Sequence, residues 1–230
     1  MARKHYYMVL DTETANSTEQ PFAYDIGFAI VDRNGNIYET ASFVISDIFD
    51  FEKELMQSAY YANKIPMYLD GIKSKQFKRV SLYAARMAIL DAIKRYNVKA
   101  VCAYNAAFDI NALNTTQRWT TKSKYRYFLP YGLPVFDIWN MACQLLCTQK
   151  HYIKFCFDNG FVSDKGNINT NAEKVWAYLT QNEDYAEQHT GLADVLIESA
   201  IMAKCFSLHK KMNKGIDRKC WRIPQEKARA

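Results

Sequence analysis

Glycine and proline are scarce in this chain, 8 and 5 of 230 residues. No internal repeat and no low-complexity linker is found, so one domain with at most a small appendage is expected. No run of about eighteen apolar residues occurs, which excludes a transmembrane helix. The apolar stretch behind the first five residues is too short for a signal peptide, and a cytoplasmic protein is the expectation. No G-x-G-x-x-G follows the first apolar run, which argues against a dinucleotide fold. No C-x-x-C pair exists among the cysteines, which lie mostly inside apolar segments and read as buried thiols of a reducing compartment. Cys143, Cys147 and His151, four residues apart, could form a zinc set with Cys156, but packing of one helix face explains the spacing equally well.

What is present is apolar and aromatic. With 49% hydrophobic and 14% aromatic residues the chain can bury a sizeable core. The formal net charge is +6, and the excess is concentrated toward the C-terminus. Lys210, Lys211, Lys214, Arg218, Lys219, Arg222, Lys227 and Arg229 stand against only Asp217 and Glu226. A basic segment of this kind favours a polyanionic partner or, read plainly, forms a solvated tail.

Residues 6–10 form an apolar run that ends in Asp11-Thr12-Glu13-Thr14. If the run is a strand, Asp11 and Glu13 project to the same side, since strand side chains alternate. Two carboxylates so close repel, and a divalent cation is a natural neutraliser. Residues 23–31 and 37–45 read as two further strands around an Asn-Gly turn, so three antiparallel strands open the domain. Residues 51–63 read as helical, Pro66 as an interruption and residues 73–79 as a basic connector. Ser81 caps a helix to about residue 96, with Leu82, Ala85, Ile89, Ala92 and Ile93 on one face. Residues 98–103 fit a buried parallel strand, followed by a short helix at 110–117. The basic stretch at 122–127, which carries Tyr125 and Tyr127, could grip phosphates and stack bases or be an ordinary surface loop. A strand at 134–138 and a helix at 139–148 come next. Thr170 and Glu173 fit a capping box, and residues 191–208 form the last long helix.

Three acidic clusters emerge: Asp11 with Glu13, Asp109 past a central strand, and Asp194 in the first turn of the last helix. In open α/β sheets chemistry gathers where strand ends meet helix starts. Four carboxylates meeting there could hold two divalent ions, the arrangement used for in-line displacement at phosphorus. His189, five residues before Asp194, has the ordinary pKa of a general base and a place on a loop beside that helix.

Asp11-Thr12-Glu13, Asn105-Ala106-Ala107-Phe108-Asp109 and His189-Thr190-Gly191-Leu192-Ala193-Asp194 resemble, in order, the three motifs of the DEDDh 3′-to-5′ exonucleases of the ribonuclease H-like superfamily. The resemblance spans about residues 8–204. It implies an α/β fold with a five-stranded mixed sheet, first three strands antiparallel, flanked by helices. The domain would cover residues 1–209 and the basic tail residues 210–230. It implies two Mg²⁺ or Mn²⁺ ions held by Asp11, Glu13, Asp109 and Asp194, with Asp11 bridging, Asp109 acting mostly through water and His189 deprotonating the attacking water. Thr12, Thr14 and Phe108 would seat the 3′-terminal nucleotide, and Asn105 would position it. The implied reaction is hydrolysis at single-stranded DNA or RNA 3′ ends, releasing nucleoside 5′-monophosphates. A polymerase or replication factor is a partner such enzymes often serve, and no membrane is expected. Two departures stand out. Gly191 replaces the usual alanine, which would loosen the loop–helix junction, and Ala15-Asn16 replaces Thr-Gly. Asp137 is expected to be structural. The competing reading is a nucleic-acid- or protein-binding module on the same fold, with catalysis incidental.

Overall fold

The computed structural model describes residues 4–121 and 126–229. Most of the basic loop at 122–127 therefore lies outside the described residues. Strands β1 (Tyr7–Ala15), β2 (Phe22–Val31) and β3 (Ile37–Ile45) form an antiparallel meander. The β2–β3 turn closes where Asn-Gly predicts it: Gly35 takes φ +82° and Asp32 accepts from the Asn34 N–H at 2.8 Å. After β3 come α1 (Ser46–Phe49), α2 (Lys53–Gln57), a 3₁₀ turn at Ala62–Lys64 and α3 (Ile65–Lys73). The helix expected over 51–63 is thus broken into short pieces. Pro66 does not interrupt but opens α3, where its missing N–H would have no helical partner anyway.

The 73–79 connector runs into a strand, β4 (Lys78–Val80), which pairs parallel to β3. Among the described residues the sheet therefore has six strands, in the order β4-β3-β2-β1-β5-β6, one more than expected. Helix α4 (Leu82–Tyr96) begins as read, with Ser81 Oγ accepting from the Ala84 N–H at 3.2 Å, and closes on Asn97 in the left-handed region. β5 (Val101–Ala103) joins β1 in parallel, α5 (Ala106–Thr120) follows, and β6 (Val135–Asp137) pairs parallel to β5.

Helices α6 (Ile138–Leu145), α7 (Lys150–Asp158) and α8 (Ala172–Thr180) lead to α9 (Gly191–Ser207) and α10 (Arg222–Arg229). The N-cap of α8 is Asn171, whose side chain accepts from the Lys174 N–H, rather than Thr170. Glu173 turns instead to the Glu187 N–H, 3.1 Å away. Cys143, Cys147 and Cys156 are buried free thiols, the last two in one core, but the single helix face expected to carry Cys143, Cys147 and His151 is interrupted between α6 and α7, and His151 is exposed. The tail is built into the fold: Cys220, Pro224 and Gln225 are buried, and Gln225 exchanges two hydrogen bonds with the Ile168 backbone. No helix among the described residues is long and apolar enough to cross a membrane.

The sheet divides two cores. Met8 and Leu10 pack with α4 and α5 on one face, while Tyr7 and Val9 pack with α6 and α9 on the other. Continued alternation turns Asp11 and Glu13 toward α9. Opposite Asp11 stands Gly27 of β2, and α9 begins directly on it. A Cβ at Gly27 would lie 2.1 Å from the Gly191 carbonyl carbon, and one at Gly191 would lie 2.6 Å from the Gly27 nitrogen. Gly191 does not loosen the junction. Its missing side chain is what lets α9 touch the sheet. Gly27→Ala is expected to destabilise the protein by about 1–3 kcal/mol through overpacking, read from urea unfolding. An unchanged midpoint would show that α9 can retreat at no cost.

Candidate active site

The site forms where β1, β5, α5 and α9 meet. A register shift between Glu13 and Thr14 bends β1 just past its second carboxylate. Asp109, buried in the first turn of α5, accepts from both the Thr12 N–H (3.0 Å) and the Thr12 hydroxyl (2.9 Å). These two bonds bridge 97 positions of sequence and place Asp109 beside Asp11 and Glu13. Both donors of Thr12 are used on Asp109, so its side chain positions a carboxylate. Thr14 is half-buried just beyond the bulge. Asn16 takes φ +72°, the conformation glycine ordinarily supplies, and its amide donates to the Gln20 carbonyl at 2.8 Å.

Asp194, one turn into α9, is 8% exposed, and its Oδ1 has no hydrogen-bond partner among the described residues. Ligand atoms of Glu13, His189 and Asp194 lie within 4.8 Å of one another. An enclosed carboxylate oxygen without a donor, facing a second carboxylate and an imidazole, fits a divalent cation.

His189 is held from several sides. It takes φ +48°, Tyr61 stacks on its ring at 4.4 Å and 19°, and Glu187 Oε2 lies 3.6 Å from Nδ1. The Lys64 ammonium donates to the Gln188 carbonyl and, at 3.4 Å, to that of His189. Asn105, in the left-handed region at the N-cap of α5, donates its N–H to Asp137 Oδ1 at 3.2 Å. The same oxygen accepts from the Trp139 and Asn140 N–H groups, so Asp137 caps α6, in keeping with its expected structural part. Asn105 and Phe108 line an open 630 Å³ cavity together with Trp139, Arg218 and Glu19.

Three acidic residues escaped the sequence reading. Asp25, opposite Glu13 on β2, is fully buried and accepts from the Gly191 N–H (3.0 Å) and the Tyr68 hydroxyl (2.7 Å), fixing the start of α9. A lone aspartate inside the apolar run 22–31 was the available signal. Glu198, 3% exposed, accepts from the Tyr104 N–H at 3.1 Å and ties α9 to the end of β5. Its spacing of four from Asp194 on one helix face was legible. Glu187 carries no sequence signal beyond its distance of two from His189.

Crowding shows in the electrostatics. Burial, then Asp109, Glu198, Glu13 and Asp194, raise Asp11 well above the usual carboxylate range. Burial and then Asp194 push Glu13 up to about 8. Burial also lifts Asp109 and Asp194 to about 7. Burial and the Lys64 cation hold His189 below the usual imidazole range.

Solved structures of E. coli Exonuclease I have this fold. The complex with a 5cy-dA13 oligonucleotide gives a TM-score of 0.54 and that with 5cy-dT13 a TM-score of 0.52; both are 14% identical and cover 90% of this chain and 41% of that chain. The zinc-ion-bound form of an ExoI–ssDNA complex gives 0.51 at the same identity and coverage. This chain thus spans about two fifths of the length of the structures it matches. At 14% identity the likeness is one of fold: the expected α/β arrangement of a mixed sheet, its first three strands antiparallel, flanked by helices. No family model and no curated protein matches the chain.

The raised carboxylates give stability a definite pH dependence. Their folded values lie above the unfolded ones near 4, so the native state retains protons that the unfolded chain has released. Their contribution is complete below about pH 4 and is lost as pH rises through the folded values, about 7 to 8 for Asp109, Asp194 and Glu13. The melting temperature in EDTA is expected to fall from pH 5 to pH 8, and Mg²⁺ should restore more of it at pH 8 than at pH 5. A flat profile in EDTA, or no Mg²⁺ effect at pH 8, would contradict this electrostatic account.

Proposed function

We propose that the chain is a divalent-metal-dependent 3′-to-5′ exonuclease of the DEDDh type, acting on single-stranded nucleic acid ends. One set of contacts carries the reading. Ligand atoms of Glu13, His189 and Asp194 lie within 4.8 Å of one another, one buried Asp194 oxygen has no donor among the described residues, and Thr12 holds Asp109 against the same strand. Asp11, Glu13, Asp109 and Asp194 are the residues that would hold the ions, Mg²⁺ or Mn²⁺. When bound, the ions supply Lewis-acid activation of water and charge stabilisation at phosphorus.

The chain's own residues do the rest. His189, kept neutral by burial and by Lys64, accepts a proton from the attacking water at Nε2. Burial and Asp194 push Glu187 up to about 8; in its ionised form, 3.6 Å from Nδ1, it favours the tautomer with Nδ1 protonated and leaves Nε2 free. Tyr61 stacking and the Lys64 contacts keep the ring from swinging away. Phe108 and Asn105, on the wall of the neighbouring cavity, seat the terminal nucleotide, with Thr14 close by at the bulge. Asp25 and Glu198 position α9 and β5 and take no proton in the reaction.

Strands labelled at either end test the reading. In Mg²⁺ a 5′-label is expected to give a descending ladder, and a 3′-label a mononucleotide from the first turnover. Asp11→Ala should abolish both. His189→Ala should slow turnover by about 10²–10⁴-fold, the range for losing a general base. Matched DNA and RNA strands rank the substrates. Equal slow degradation by wild type and Asp11→Ala would overturn the reading, and binding that survives EDTA without cleavage would favour a binding module. The Glu187 role has its own test. Glu187→Ala should lower kcat with little change in KM, and should add no further loss in a His189→Ala background. An additive loss there would give Glu187 a separate task.

A further inference from the structure

A second cavity, of 490 Å³, opens away from the carboxylates. His5, Tyr7, Arg33, Phe206 and Lys210, with Lys211 and Lys214, line it, and no acidic residue does. Tyr7 stands four residues before Asp11 on β1, roughly 13 Å at strand rise. Phe206 stands twelve residues beyond Asp194 on α9, roughly 18 Å at helical rise.

None of Arg33, Lys210, Lys211 and Lys214 lies within 4.0 Å of a carboxylate in an ion pair among the described residues. Two of them are held in place by rings: Arg33 sits 4.9 Å from the Phe206 centroid, and Lys214 sits 5.1 Å from Phe136. The backbone that carries Lys214 is fixed as well. The Asp137 N–H donates to the Lys214 carbonyl at 2.8 Å, the Asn140 amide to the Gly215 carbonyl at 2.8 Å, and the Gln144 amide to the Asn213 carbonyl at 2.9 Å. Four residues further on, Arg218 reaches the cavity that Asn105 and Phe108 line beside the active site. Segment 209–218 therefore joins the two cavities. The carboxylates near the route are Glu19, in the Arg218 cavity, Asp217, which accepts from the Lys219 N–H, Asp137, whose carboxylate caps α6, and Asp32 beside Arg33, which accepts from the Asn34 N–H and the Tyr38 hydroxyl.

We propose that this segment is a track for the phosphate backbone of the single-stranded substrate upstream of the cleaved bond, running from Arg218 beside the active site to the Arg33, Lys210, Lys211 and Lys214 cavity. The inference rests on the exonuclease reading and adds a substrate path to it. The aromatic floor, Tyr7 and Phe206, is buried under the cations, so bases cannot stack there. Recognition is by charge, without sequence preference and with a steep salt dependence.

The test compares the full chain with a triple charge reversal, Arg33→Glu, Lys210→Glu and Lys211→Glu, which leaves the catalytic residues and the pinned Lys214 alone. Binding of labelled strands is measured by anisotropy in an Asp11→Asn background across a salt series. For a 20-nucleotide strand the reversal is expected to weaken binding at least about tenfold at low salt. It should also flatten the log–log salt slope by about 2, since three contacts count roughly 0.7 each on single strands. A trinucleotide, at about 3.4 Å per nucleotide, is too short to span the path and should bind as before.

Hydrolysis of a chromogenic thymidine phosphodiester, measured with Asp11 intact, should be unaffected by the reversal. Its loss in Asp11→Ala reports separately on the exonuclease reading. Equal affinity and slope on the long strand would overturn the track. So would equal weakening of the trinucleotide, or displacement of the long strand by millimolar inorganic phosphate at constant ionic strength. A fall in thermal stability with unchanged affinity would also overturn it, showing that the cations only balance the C-terminus of α9.

Discussion

Carboxylates gathered at one end of β1 repel one another, and the molecule holds them there in spite of it. Asp11, Glu13, Asp109 and Asp194 sit in or beside a buried region, with Glu198 and Asp25 close behind. Taking one charge out of water is costly, and taking several out together is costlier unless something positive sits among them. The Lys64 cation lowers both Glu13 and Asp194, but its hydrogen bonds go to backbone carbonyls. The arrangement is intelligible as one that divalent cations complete, and the backbone devices around it keep the carboxylates from moving apart.

Those devices are few. Backbone meets backbone where Gly27 lies under Gly191, so α9 starts closer to the sheet than any side chain would allow. Asp25 accepts from the first N–H of α9 and fixes the same junction by hydrogen bonding. Thr12 grips Asp109 with two donors and brings the start of α5 to β1. Glu198 holds the end of β5 through Tyr104. Each contact joins elements far apart in sequence, and each ends on a residue of the site or its neighbour.

Local pattern carried much of this into the sequence. Asp11 and Glu13 share a face because strands alternate, and the Asn-Gly turn and the Ser81 cap follow from short-range rules that the structure obeys. The apolar stripe read on α9 at Leu192, Val195, Leu196, Ala200 and Ala203 is not its buried face: Leu196 is 41% exposed, while Ile197, Ile201, Met202 and Cys205 are buried with Val195. What stayed hidden depends on packing between elements. Gly191 read as a weak junction because its partner, Gly27, lies 164 positions earlier in the chain. Glu173 looked like a capping residue because the loop it serves, at Glu187, was invisible. β4 was missed because three residues rich in basic side chains make a strand only against β3. The C-terminal segment looked like a solvated tail because its charges are frequent and its anchors, Cys220 and Gln225, are single residues.

The most direct measurement is Mn²⁺ binding to the purified chain by electron paramagnetic resonance, with Asp11→Asn as the comparison. The account predicts two Mn²⁺ ions per chain and the loss of at least one in the variant. Absence of Mn²⁺ binding, or the same stoichiometry and affinity in both proteins, would contradict it.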